Sequence, residues 1–120
     1  MPEITLRPAT PKDLDALVRL EQQCFTEDRL SRRSFRRFLD MPQDRLIVAE
    51  HGGRLLGYCL VLMNAATRLA RIYSIAVSPE ARGQGLGERL VRQAEQEAAE
   101  AGRIVMRLEV REDNAGAINL

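Results

Sequence analysis

The first periodic stretch of the chain runs Leu14, Leu17, Val18, Glu21, Cys24 and Phe25, helical spacing in which Glu21 is the one charged member. Just ahead of it, Thr10-Pro11-Lys12-Asp13 has the form of a capping box. A hydroxyl stands at the cap, proline at the first helical position and a carboxylate at the third. Residues 2–8 read as a short opening strand. Ser31 begins a second helix over about residues 31–40, anchored by Phe35, Phe38 and Leu39 and ended by Pro42. The period then changes. Residues 45–50 and 54–63 are β-rich runs joined through His51-Gly52-Gly53, and Gly-Gly supplies the positive φ that tight hairpin turns require.

Residues 69–77 predict a third central strand, followed by a loop over 78–84 and a helix over about 85–101. Leu86, Leu90, Ala94, Ala98 and Ala101 form the helix's apolar stripe, with Gly102 as its cap. Glu88 and Arg92 make an i,i+4 pair on its polar side. In residues 104–110, Ile104, Met106, Leu108 and Val110 alternate with Val105, Arg107 and Glu109, which predicts another strand. A last helix starts at Ala115 and reaches Leu120. The order β-α-α-β-β-β-α-β-α, with one strand–loop–helix–strand crossover, predicts an α/β fold of mixed α+β character, a central mixed sheet flanked by helices. No linker, repeat or low-complexity segment interrupts it, so a single domain over 1–120 is expected.

Composition narrows the function classes. The 120 residues are 45% hydrophobic and 29% charged, enough apolar material for a core without disulfide or metal staples. A net charge of +1 and 4% aromatic residues argue against a nucleic-acid binder. The longest apolar run, Leu55 to Met63, is too short to span a membrane, and the N-terminus has no apolar signal core. A cytoplasmic protein with no membrane partner is therefore expected. Cys24 and Cys59 form no CxxC and read as buried free thiols, and His51 as a polar turn residue. A single histidine without GxSxG disfavours a Ser-His-Asp triad, and no metal-ligand spacing is present, so no metal is expected. Lys12 is the one lysine among 18 basic residues, a bias that nothing in the sequence explains.

The stretch that carries chemistry is Ile75-Ala76-Val77-Ser78-Pro79-Glu80-Ala81-Arg82-Gly83-Gln84-Gly85-Leu86-Gly87. Three glycines at alternate positions, between a strand and a helix, leave backbone amides unshielded at a helix N-terminus. Such a mouth suits an anion, a diphosphate above all. It is neither GxxxxGK[ST] nor GxGxxG, which disfavours a nucleotide switch. A glycine-rich turn chosen only for tight strand–helix packing fits the same spacing.

Arg82-Gly83-Gln84-Gly85-Leu86-Gly87, following Ile75-Ala76-Val77-Ser78-Pro79, resembles the R/Q-x-x-G-x-G/A signature of the GNAT-superfamily N-acetyltransferases. Leu108-Glu109-Val110-Arg111, Asn114 and Ala117-Ile118-Asn119-Leu120 are similar to the corresponding run of the family's RimI-like branch, which acetylates the N-terminal alanine of a ribosomal protein. The resemblance is specific over residues 75–120 and matches the first half only in pattern. It implies a GNAT-like sheet splayed at the acetyl-CoA-binding strand. It further implies that the amides of Ile75, Ala76 and Val77 line the pantetheine arm and that Arg82, Gly83, Gln84, Gly85, Leu86, Gly87 and Glu88 hold the pyrophosphate. Asn114 would contact the cofactor arm, and Glu109 would be the general base. The implied cosubstrate is acetyl-CoA. The implied acceptor is an amine, most often a protein N-terminus and for this branch a ribosomal protein; an oligomer is compatible.

The residues support these roles on chemical grounds. An amine must be neutral to attack a thioester, and an α-amine with a pKa of about 7.7–8.0 needs less help than a lysine near about 10.4. A strand amide can stabilise the oxyanion, and a thiolate leaving group with a pKa of about 8.5 needs no strong acid. Glu109, alternating with Arg107 and Arg111, also fits a solvated ion pair, and Asn114 fits a helix cap. Arg29, Arg32, Arg33, Arg36 and Arg37 fit a solvated helix face, or a contact to an acidic protein tail or ribosomal RNA. The matched run stops at Leu120, before the tyrosine and closing strands that the resemblance implies, so those parts are expected in a longer form of the chain or another subunit. A small-molecule amine acetyltransferase and a non-catalytic acyl-CoA-binding module remain the other readings.

Overall fold

Sheet pairing is set by two alternating apolar faces that are both buried. The computed structural model describes residues 3–64 and 66–109. Strand β1 (Thr5–Pro8) leads through a single 3-10 turn, Pro11–Asp13, into α1 (Leu14–Cys24) and α2 (Arg32–Leu39). Strands β2 (Arg45–His51), β3 (Arg54–Met63) and β4 (Leu69–Val77) follow, then a 3-10 turn at Pro79–Ala81, α3 (Leu86–Glu100) and β5 (Val105–Leu108). The five strands lie in sequence order, antiparallel from β1 to β4 and parallel between β4 and β5. The mixed sheet expected from the element order is therefore present.

Helix α3 covers one face of the sheet, with Leu86, Leu90, Ala94 and Ala98 packed against Ile47, Cys59, Val61, Ile72 and Ile75. Helices α1 and α2 cover the other, with Leu14, Leu17, Leu20, Phe25 and Phe35 against Leu46, Val48, Tyr58, Leu60 and Ala76. Both cysteines are free and buried, and desolvation pushes the Cys59 thiol up to about 12.

Two irregularities decide which side chains reach which face. In the β3–β4 pairing, Leu60 faces Ser74 and Val61 faces Ile72, which leaves Tyr73 as the extra residue of a β-bulge. The parity of β4 flips there. Ala70 and Ile72 before the bulge, and Ile75 and Val77 after it, all face α3. A second bulge, between Ala49 and Glu50, does the same for Leu56 in β3.

Several sequence expectations shift at element ends. The opening strand begins at Thr5, Phe25 caps α1 from outside, and α3 begins one residue after Gly85. Ser31 caps α2 through its hydroxyl, which accepts from the Ser34 N–H at 3.1 Å. In the last strand the expected apolar face is only partly covered. Met106 joins the α3-side core, but Ile104 is 70% exposed and Leu108 48%. The physical reason is reach: α3 packs across β2, β3 and β4, and β5 lies beyond its shadow. Val110, Asn114 and the helix expected from Ala115 lie outside the described residues.

At the β1 end, Arg7 joins two carboxylates, donating to Asp13 at 2.9 Å and to Glu50 at 2.8 Å. Asp13 also accepts from the Thr10 N–H at 2.8 Å, the return half of the predicted capping box. The Arg7 guanidinium holds the Asp13 carboxyl below its ordinary value. A group whose pKa falls on folding stabilises the fold above its unfolded pKa and loses that contribution as pH drops through the folded one. Asp13→Asn is expected to cost about 1–2 kcal/mol at pH 7. The gap from the parent should begin to close below about pH 4, where the unfolded carboxyl protonates, and should vanish only once pH has fallen through the lower native pKa, as read by urea unfolding at pH 7 and across the acid range.

Gly57 gives a second test. A Cβ there would stand 2.9 Å from the Ala76 carbonyl oxygen and 3.3 Å from Leu90. Only glycine lets β3, β4 and α3 approach this closely, so Gly57→Ala is expected to lower stability by about 1–3 kcal/mol in thermal or urea unfolding.

Candidate active site

The candidate site forms where β4 ends and α3 begins. Ile75, Ala76 and Val77 are buried, their side chains alternating into the two cores and so fixing the strand end from both sides. The chain leaves β4 through Ser78, whose N–H donates to the Leu56 carbonyl at 2.8 Å. It turns at Pro79–Ala81 and reaches Gly83 and Gly85, with φ of +81° and +77°. Side chains other than glycine seldom adopt that region, so these two positions explain the loop's composition.

A Cβ built on Gly83 or Gly85 would meet nothing within 4 Å, so packing does not demand glycine at these two positions, whereas the third glycine, Gly87, is buried in the first turn of α3. Among the described residues, no backbone acceptor is taken by the N–H groups of residues 83–88. The first amide to close the helix is that of Arg89, which donates to the Gly85 carbonyl at 3.1 Å. The Leu86 side chain is buried while its amide lies in the first turn. The carboxylate of Glu88 is turned to Arg92 at 2.6 Å, which leaves only its amide for the mouth. Unshared amides at the positive end of a 15-residue helix are an arrangement chemically suited to an anion.

Arg82 does not extend into this mouth by its whole side chain. Its Nε donates to the Val77 carbonyl at 3.1 Å, which also accepts from the Cys24 Sγ at 3.4 Å. Burial raises the Cys24 thiol and the neighbouring Arg82 charge offsets part of that rise. Arg82 thus staples the loop to the end of β4, a contact that the residue spacing did not reveal.

Glu109 sits on the other edge of β4. It lies just past β5, with its N–H donating to the Ile72 carbonyl at 2.9 Å. Its carboxylate pairs across the strands with Arg71 at 3.5 Å, both side chains about 40% exposed. The sequence expectation had offered its chain neighbours as partners, and the register supplies Arg71 instead. Tyr73, the bulged residue, lies on the same face and stacks at a tilt on Phe38, with ring centroids 6.5 Å apart. Asn114 lies outside the described residues.

A buried polar network, not foreseen from the sequence, braces this region. The fully buried Glu21 accepts from the Tyr58 hydroxyl at 2.6 Å and from the Leu30 N–H at 2.7 Å. Tyr58 also meets the Ser74 hydroxyl at 2.7 Å, next to the bulge. The one signal in the sequence was a glutamate in an otherwise apolar helical stripe.

Comparison with known proteins places this architecture. The model of the acetyltransferase (GNAT) family matches residues 14–120. The chain belongs to the GNAT family. A Mycobacterium tuberculosis relative named N-alpha-acetyltransferase RimI is 33% identical, spanning 98% of this chain and 74% of its own length. A Bacillus subtilis protein, named for alanine N-acetylation of ribosomal protein bS18, is 34% identical over 91% of this chain and 71% of its own. Among solved structures, the ribosomal-protein-S18-alanine N-acetyltransferase of Escherichia coli superposes with a TM-score of 0.81 at 25% identity, covering 98% of this chain and 73% of that one. The GNAT homologues indicate acetyl-CoA-dependent acetyl transfer as the activity class. Among the described residues no helix is long and apolar enough to cross a membrane.

Proposed function

We propose that this chain is a single GNAT domain that moves an acetyl group from acetyl-CoA to the α-amine of a protein or peptide N-terminus, by direct attack within a ternary complex. The observation that carries the reading is the open mouth of α3, where the amides of residues 83–88 have no internal acceptor and nothing fills the space over Gly83 and Gly85. Acetyl-CoA supplies an activated thioester and a diphosphate that such a mouth can hold. Arg82, Gly83, Gln84, Gly85, Leu86, Gly87 and Glu88 would grip that diphosphate, chiefly through backbone nitrogen. Ile75, Ala76 and Val77 would line the pantetheine arm, with one strand amide facing the developing oxyanion. Asn114 is assigned to the same arm on the strength of the family signature.

Glu109 would take the proton from the acceptor amine, directly or through water. Its half-exposed carboxylate beside Arg71 lies on a face that an acceptor can reach. An α-amine with a pKa of about 7.7–8.0 is matched to that task better than a lysine. No covalent enzyme intermediate is needed. The names of the relatives from Mycobacterium tuberculosis and Bacillus subtilis support an N-terminal acceptor, and for the latter a ribosomal one.

Two variants test the reading. Gly85→Trp fills the mouth, and its acetyl-CoA affinity in isothermal titration calorimetry is expected to fall by about 100-fold or more. Gly85→Ala is the control, since it carries the same backbone strain without the bulk and should bind far better than the tryptophan variant. A folded Gly85→Trp protein that binds normally would put the diphosphate elsewhere. Glu109→Gln is expected to lower kcat for an N-terminal alanine peptide by roughly 100-fold or more, with acetyl-CoA binding unchanged, in an assay of released thiol. An unaltered kcat would remove Glu109 from the mechanism.

A further inference from the structure

Glu21 is fully buried in the core between α1 and the sheet. An apolar side chain of similar volume often serves a core as well as a buried charge or better, so stability does not account for this carboxylate. Its two oxygens point to different partners. Oε2 accepts from the Leu30 N–H at 2.7 Å and Oε1 from the Tyr58 hydroxyl at 2.6 Å. Tyr58 has then given up its one proton, so in the 2.7 Å contact with Ser74 the serine hydroxyl donates and Tyr58 accepts.

The two arms end at one place. Leu30 directly precedes Ser31, the cap of α2, so the first arm fixes where α2 begins. The connection before it is held in a defined shape. Arg29 donates to the Phe25 carbonyl at 2.6 Å and to the Gln22 carbonyl at 3.2 Å. Asp28 has a φ of +54°, a conformation that a side chain other than glycine keeps only where its surroundings hold it. From that start α2 carries Phe38 to the wall of a groove of about 520 Å³, lined also by Met41, Leu62, Leu69, Arg71 and its register partner Arg107. Arg71 pairs with Glu109, so the groove opens beside the proposed base. The second arm ends at Ser74, next to the bulged Tyr73, whose half-exposed ring stacks on Phe38.

We infer that Glu21 is a positioning residue for the acceptor: through Leu30 on one side and Tyr58–Ser74 on the other, it sets how Phe38 and Tyr73 stand at the approach to Glu109. This deepens the α-amine reading above and rests on it. One rigid carboxylate fixes both walls at once, and a misplacement of about 1 Å in such a wall is enough to impair a reaction about 100-fold. The diphosphate mouth is held by other contacts, those of Ser78, Arg82 and Leu86. Loss of the network therefore weakens the acceptor and spares acetyl-CoA.

Tyr58→Phe cuts one arm and keeps the ring that meets Phe35 edge-on at 5.5 Å. With the intact protein, acetyl-CoA and a peptide with N-terminal alanine, it is expected to raise the peptide KM by about tenfold. The calorimetric affinity for acetyl-CoA and kcat should each stay within about twofold of the parent. Made in a Phe38→Ala background, the same substitution should change the peptide KM by less than about twofold, because the contact it positions is already gone. Glu21→Gln, which replaces one acceptor oxygen with a donor, is expected to follow the same pattern with a smaller rise. A peptide KM that either variant leaves unchanged, or that rises by the same factor in both backgrounds, overturns the inference and leaves the α-amine reading standing. Should Tyr58→Phe not fold, Ser74→Ala cuts the same arm one bond further on and is judged by the same cycle. If the parent binds acetyl-CoA but acetylates no such peptide, the α-amine reading fails and the inference with it.

Discussion

An α-helix cannot satisfy its own first amides, and the architecture around α3 leaves those of residues 83–88 without a backbone acceptor among the described residues, with Gly83, Gln84, Gly85 and Glu88 exposed. In most helices a capping side chain would take one or two of them. Here the cap is Gly85 with positive φ, which has no side chain to offer, and a Cβ built on it would meet nothing within 4 Å. The arrangement is useful only if the loop is held still, and three contacts hold it. The Ser78 amide is tied to β3, the Arg82 side chain to the Val77 carbonyl, and Leu86 is sunk into the core.

The same strand end is fixed from both faces because of the bulge at Tyr73. Without it, strict alternation from Ala70 and Ile72 would carry Ser74 and Ala76 toward α3 and turn Ile75 and Val77 to the other face. The extra residue reverses this, so that two large apolar residues anchor beneath α3 while Ser74 meets Tyr58. The Tyr58 hydroxyl in turn serves Glu21, whose carboxylate accepts the Leu30 amide from the connection between α1 and α2. A fully buried carboxylate is costly unless its oxygens are hydrogen-bonded. With these donors it joins α1, the α1–α2 connection, β3 and β4 across one core, and so sets where α2 and its Phe38 stand relative to Tyr73.

Much of this was legible in the chain because it depends on local rules. Periodicity located α1, α2 and α3, Gly52-Gly53 marked the hairpin, and the glycine triplet marked the helix mouth. What escaped depends on register between distant strands. The opposition of Arg71 and Arg107, the partner of Glu109 and the effect of the Tyr73 bulge follow from how β4 lies against β3 and β5, which no single window reports. The exposure of Ile104 and Leu108 escaped for a related reason. Alternation says that a strand has an apolar face, but not whether a helix reaches far enough to cover it.

Strand β4 is the element on which the proposed chemistry converges, and its two edges differ in electrostatics. At its C-terminal end the positive charge is diffuse and belongs to backbone dipoles, which suits a diphosphate that has to arrive and leave intact. Along its Arg71–Tyr73 face the charge is carried by side chains, and one carboxylate, Glu109, lies among them. In the proposed mechanism a proton taken up by Glu109 would remove that negative charge and leave two guanidinium groups beside the acceptor.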